Sequence, residues 1–169
     1  MKPQNRTQQI GIDRLVRLAW LEKVSSLVLA GIDQKNIKLI LQNELAGAFR
    51  SANTEVRGSL DKTITILLKV WLIPPKALEP LRIDGLEFLK NLPLTERLVI
   101  HWGMVAAVYP FWAAVALQVG RLLRLQGSVT AAHIQRRIRE QYGERETVSR
   151  RTRYIIRSYS DWGVLQETA

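Results

Sequence analysis

Hydrophobic positions recur every three to four residues along most of the chain, with no sustained alternation, so the pattern predicts helices throughout. A first helix is expected over Ile12 to Ala30, with Ile12, Leu15, Val16, Ala19, Val24 and Leu27 on one face and Gly31 as its stop. Asp33 is placed to cap a second helix through Ile37, Ile40, Leu41 and Leu45. The aperiodic run Arg50 to Gly58 is expected as a loop, and Ser59 as the cap of a third helix that stops before Pro74-Pro75. A short helix follows from Ile83 to Leu92. The pattern then turns almost wholly apolar from Leu98 to Gly120, where no Asp, Glu, Lys or Arg occurs. Pro110 sits in the middle of that stretch and breaks the helical hydrogen-bond ladder, so two helices are expected there, about Thr95 to Val108 and Phe111 to Leu125.

A run of that length and composition also fits a membrane span, but His101, Gly103, Pro110 and Gln118 favour a buried helical hairpin. The expected fold is therefore all-α. Residues 1–126 form a helical bundle around the apolar hairpin, behind a loose polar leader at residues 1–11, and residues 127–169 form a separate segment.

In that last segment the pattern changes character. Thr130 precedes a helix from Ala131 to Tyr142, with Ala131, Ile134, Ile138 and Tyr142 on one face. Gly143 to Glu146 is the length of a tight connection, and Thr147 can cap a helix reaching about Trp162, ended by Gly163. At about 100° per residue, Val148, Thr152, Ile155, Tyr159 and Trp162 share one arc, while Arg150, Arg153 and Arg157 lie within roughly 60° on the opposite side. Val164-Leu165-Gln166 is expected as a short wing strand. This is the layout of a helix-turn-helix or winged-helix reader of duplex DNA, with its second helix in the major groove.

Charge sharpens that expectation. The 169 residues carry a net charge of +10, and Arg121 to Arg157 holds ten arginines against three glutamates, a local +7. No lysine follows Lys90, and guanidinium forks suit phosphates and guanine edges better than ammonium groups do. The candidate DNA-binding residues are Arg136, Arg137, Arg145, Arg150, Arg151, Arg153, Tyr154 and Arg157. Glu144 and Glu146 oppose this reading locally: they suit the start of a helix and repel phosphate. Tyr154 beside the arginine stripe also fits stacking on an unpaired RNA base, and the same basic face fits an acidic protein partner.

Catalytic equipment is missing from the sequence. Ser59-Leu-Asp-Lys62 matches an S-x-x-K pattern without its companion elements, and helix capping accounts for Ser59. His101 and His133 stand far apart in a chain with no cysteine, which makes a poor metal site and leaves His101 as a hydrogen-bonded core histidine. No phosphate-cradling glycine loop is present, so neither an enzyme activity nor a cofactor is expected. The absence of cysteine and of a signal-peptide core in the first residues fits a cytoplasmic protein.

The combination of His101-Trp-Gly-Met104, Tyr109-Pro-Phe-Trp112, Tyr142-Gly-Glu-Arg-Glu-Thr147 and Ser160-Asp-Trp-Gly-Val-Leu165 resembles the BrxA family, the small A component of bacteriophage-exclusion (BREX) defence systems. The resemblance spans roughly residues 60 to 165, and the chain looks short toward its N-terminus relative to that family. It implies a mostly helical, non-enzymatic DNA-binding protein whose partners are duplex DNA and other phage-defence components. It supplies no set of functional residues, so the candidate site rests on helix geometry.

Overall fold

A computed structural model of the chain describes residues 10–49 and 55–167. Among these residues there are eight α-helices and no strand: α1 Leu18–Leu29, α2 Gln34–Leu45, α3 Glu55–Trp71, α4 Glu79–Asn91, α5 Leu98–Val108, α6 Pro110–Gln126, α7 Ala131–Tyr142 and α8 Glu146–Asp161. The all-α expectation holds. The division of the chain differs from the expected boundary at residue 126. One compact unit is Val16–Met104, and the other joins described residues 10–15 to residues 105–167.

In the first unit α1 packs on α3 and α4, and α2 packs on α3. Its core comes from Leu21 and Val24 of α1, Ile37 and Leu41 of α2, Leu67 and Trp71 of α3, and Leu89 of α4, all without exposed surface. Burial of each such side chain contributes about 1.5–3 kcal/mol of hydrophobic stabilisation. Asp33 caps α2 as expected, accepting from the backbone N–H groups of Lys35 and Asn36. These bonds hold the Asp33 carboxyl below its ordinary range.

One polar cluster is buried among these helices. His101 of α5 has no exposed surface, its Nδ1 accepts from the Trp71 indole N–H at 3.0 Å, and its Nε2 lies 3.0 Å from a Glu22 oxygen. Since Nδ1 is already an acceptor, Nε2 carries the proton and donates to Glu22. The second Glu22 oxygen accepts from Arg97 at 3.3 Å. His101 is therefore a satisfied core histidine tying α1, α3 and α5 together. Burial pushes its pKa down, with Glu22 opposing and Arg97 adding to that shift.

Several boundaries depart from expectation. The first helix begins at Leu18 rather than Ile12. Ile12 and Val16 are both buried, but Ile12 belongs to the C-terminal unit and Val16 opens the N-terminal one, so no helix runs through both. Ser59 lies inside α3, which starts at Glu55, and so is not the residue that opens it; residues 50–54 of the expected loop and residues 1–9 of the expected leader lie outside the described residues. Helix α4 starts at Glu79, because Pro80 in its first turn lacks an N–H that the helix does not need there.

The apolar stretch breaks at Tyr109, with Pro110 opening α6. It does not act as one hairpin core. Residues 98–104 of α5 serve the first unit, while residues 105–108 and all of α6 serve the second. No single helix among the described residues is long and apolar enough to cross a membrane; α5 and α6 meet that measure only as a bent pair.

In the second unit α7 packs on both α6 and α8, and α8 packs on α6. Aromatic rings fill the joints: Trp112 meets Tyr159 edge-on at 4.7 Å and Trp162 at 5.0 Å, and Phe111 meets Tyr142 edge-on at 5.0 Å. The Tyr159 hydroxyl donates to the Trp112 carbonyl at 2.6 Å, and burial pushes the pKa of that hydroxyl strongly upward. Residues 10–15 close this unit: Ile12 is fully buried, and the Arg151 guanidinium donates to the Ile10 carbonyl. Gly11 permits the approach, since a Cβ there would stand 2.9 Å from the Tyr109 ring.

Candidate nucleic-acid interface

The three helices α6, α7 and α8 pack on one another, and the expected segment at residues 127–169 lacked α6. Thr130 caps α7 by accepting from the His133 N–H at 3.2 Å. Gly143, at φ 88°, ends α7 in a conformation that disfavours any side chain, and Arg145 N–H then donates to the Gly143 carbonyl at 2.9 Å. That tight turn starts α8 at Glu146, with Arg145 in the cap position and no side-chain cap bond, so Thr147 lies within the first turn rather than capping it.

Along α8 the inward face holds Val148, Thr152, Ile155 and Tyr159, all buried. Thr152 and Ser158 satisfy their buried hydroxyls by donating to the carbonyls of Val148 and Tyr154, at 2.8 and 2.9 Å. The opposite face presents Glu146, Arg150, Arg153 and Arg157 to solvent. Trp162 and Gly163 end the helix: Gly163 N–H donates to Ser160 O at 3.0 Å, and Val164 N–H reaches back to Tyr159 O at 2.9 Å. These 5→2 and 6→1 bonds are a Schellman motif. The cap takes up the Val164 N–H, Val164-Leu165-Gln166 is not a strand, and the winged-helix expectation is corrected: among the described residues the three helices carry no wing.

Six of the eight candidate residues are exposed arginines. Arg150 and Arg157 are exposed and make no ion pair among the described residues. Arg153 is exposed on the same face and donates to Glu146 at 3.2 Å. Arg136 and Arg137, exposed on α7, share one carboxylate, Glu140, at 3.7 and 3.1 Å. Arg145 is exposed at the turn and donates to the Tyr142 carbonyl at 3.3 Å. Two candidates sit apart: Arg151 is half-buried and directed to Ile10, which makes it a structural link within the unit, and Tyr154 is half-buried on the flank of the arginine arc.

Two exposed arginines of α6, Arg121 and Arg124, entered the sequence charge count but not the candidate site. Arg121 borders an open cleft between α6 and α7 with Gln118, Arg137 and Gln141. Only the packing of α6 as the third helix brings Arg121 beside Arg137; the local charge was the available signal.

Geometrically the arc suits a groove. Arg150 and Arg157 are seven residues apart, a rise of about 10.5 Å along the helix axis, or about three base-pair steps. The major groove is about 12 Å wide and admits one helix, and each guanidinium can pair bidentately with guanine O6 and N7 or neutralise a phosphate. Compared with protein-family models, curated proteins and solved structures, the chain gives no match.

Proposed function

We propose that the chain is a non-catalytic duplex-DNA-binding protein that lays α8 in the major groove. The observation that carries this reading is the separation of faces on α8. Val148, Thr152, Ile155 and Tyr159 are fixed in the interior, while Arg150, Arg153 and Arg157 project together from the outer face of the last helix in a three-helix unit. Arg145 at the turn and Arg136 on α7 are exposed cations that fit phosphate contacts beside the groove. The motif resemblance to the BrxA family supports a cytoplasmic role in phage defence, with other components of such a system as partners.

The experiment is anisotropy of a labelled random duplex across a salt series, with the parent and with Arg150, Arg153 and Arg157 all replaced by Glu. The parent should bind with log K falling linearly in log salt, at a slope of about −0.9 per phosphate neutralised. The triple variant should lose binding while keeping its helical content, because all three side chains are exposed. Unchanged affinity in the folded variant refutes the assignment. Parallel measurements with duplex RNA and single strands separate DNA from RNA as the target, and no binding at low salt redirects the basic face to a protein or lipid partner.

A further inference from the structure

Glu146 lies in the first turn of α8, on the same face as the three arginines, where a carboxylate suits the helix dipole and repels DNA phosphates. On a helix its natural partner is Arg150, four residues on. The carboxylate instead accepts from Arg153, seven residues on, at 3.2 Å. Both side chains are largely exposed, 75% for Glu146 and 55% for Arg153, so burial does not force the choice. The consequence is geometric. Side chains on a helix lean toward its N-terminus, and Glu146 extends that lean until the Arg153 guanidinium lies along the crest of the outer face. Arg150 and Arg157, on either side of it in sequence, make no ion pair among the described residues.

We infer that Glu146 is a specificity-determining positioning residue: it holds Arg153 along the crest of α8, aimed at a base edge, and keeps it from swinging sideways to a phosphate. The inference rests on the duplex-binding reading of the α8 face. A guanidinium free to reach phosphates raises affinity for every sequence alike, whereas one held on the crest contributes only where a base edge accepts it. Glu146 thus lowers indiscriminate binding and leaves the matched sequence favoured, a repulsive element that sharpens a difference of affinities.

The test uses the full chain, E146Q, R153Q and the double variant, with two probes: a labelled pool of random duplex and the best sequence that the parent enriches from that pool. E146Q keeps the size of an exposed side chain and removes only its charge. It should bind the random pool more tightly than the parent, with a salt slope steeper by about 0.9, one added phosphate neutralised. Its preference for the enriched sequence should fall about tenfold, the scale of discrimination that a single guanidinium–base pairing supplies. In the R153Q background the same change should alter neither slope nor preference, because the effect runs through Arg153.

An E146Q with the parent's slope and preference overturns the inference. So does an equal effect in the R153Q background, which makes Glu146 a bare repulsive charge, and so does a parent that enriches no sequence. Failure of the parent to bind any duplex has a different meaning: it overturns the reading of the α8 face itself.

Discussion

Replacing Trp71 with Phe tests the buried cluster that joins α1, α3 and α5. Trp71 has no exposed surface, and its indole N–H is the donor to His101 Nδ1 at 3.0 Å. Phenylalanine removes that donor and part of the ring. An unpaired buried acceptor costs about 1–3 kcal/mol, and the partly collapsed space about 1–2 kcal/mol more, so the variant should lose about 3 kcal/mol at pH 7.5. The loss should shrink in acid, and the sign follows from the proton balance. Burial holds His101 below its ordinary pKa in the folded parent, so its contribution is complete above that ordinary value of 6.5 and declines as pH falls below it, by up to about 1.4 kcal/mol per pH unit. In the variant Nδ1 is free to take a proton, and Glu22, at 3.0 Å from Nε2, favours the cation. The folded variant therefore opposes the proton less than the folded parent does, with burial still acting against the cation. Urea unfolding followed by far-ultraviolet circular dichroism at pH 7.5 and 5.0 measures both quantities. An equal destabilisation at the two pH values refutes the claim that the Trp71 donor adds to burial in keeping Nδ1 unprotonated, and a loss under about 1 kcal/mol at pH 7.5 refutes its role as an obligatory donor.

The arginines of α8 should separate under single substitution. Arg150→Ala should leave the melting temperature unchanged and reduce the magnitude of the salt slope for duplex binding by about 0.9. Arg151→Ala should leave that slope unchanged and destabilise the protein by about 1–3 kcal/mol, because it releases the Ile10 carbonyl. Tyr159→Phe removes the hydroxyl that donates to the Trp112 carbonyl while keeping the ring against Trp112, and should cost about 1 kcal/mol in chemical denaturation with helical content intact.

Helices were legible wherever a local signal marked both ends. Ala131–Tyr142 emerges with its expected limits because Thr130 caps it and Gly143 stops it. The start of Gln34–Leu45 was legible because Asp33 caps it. The first helix was misplaced because Ile12 and Val16 have helical spacing but belong to different cores, a fact of tertiary assignment that no window of sequence contains. Leu98 to Gly120 misled in the same way. Continuous apolarity marks it as buried, but not that the burial is divided between two units with α5 running from one into the other. His101 was recognisable as a core histidine because the sequence offers it no metal site, whereas its partners Trp71 and Glu22 lie 30 and 79 positions away.

For the candidate interface, angular position alone identified the outward face of α8, and Arg150, Arg153 and Arg157 are all found there. What periodicity cannot supply is the end point of a long side chain. An arginine reaches far enough to contact any element packed beside its helix, so neighbours in sequence take different roles: Arg150 makes no ion pair among the described residues, Arg151 holds Ile10, and Arg153 returns to Glu146. The effective charge of the region is accordingly smaller than the number of arginines implies, since Glu140 offsets one of Arg136 and Arg137, and Glu146 offsets Arg153. A surface diluted in this way binds phosphate less strongly than an unopposed stripe would, and so gives base contacts a larger share of the binding energy. Its salt slope should therefore report fewer phosphates than there are exposed arginines on α7 and α8, and a slope that counts every one of them means that the glutamates yield on binding.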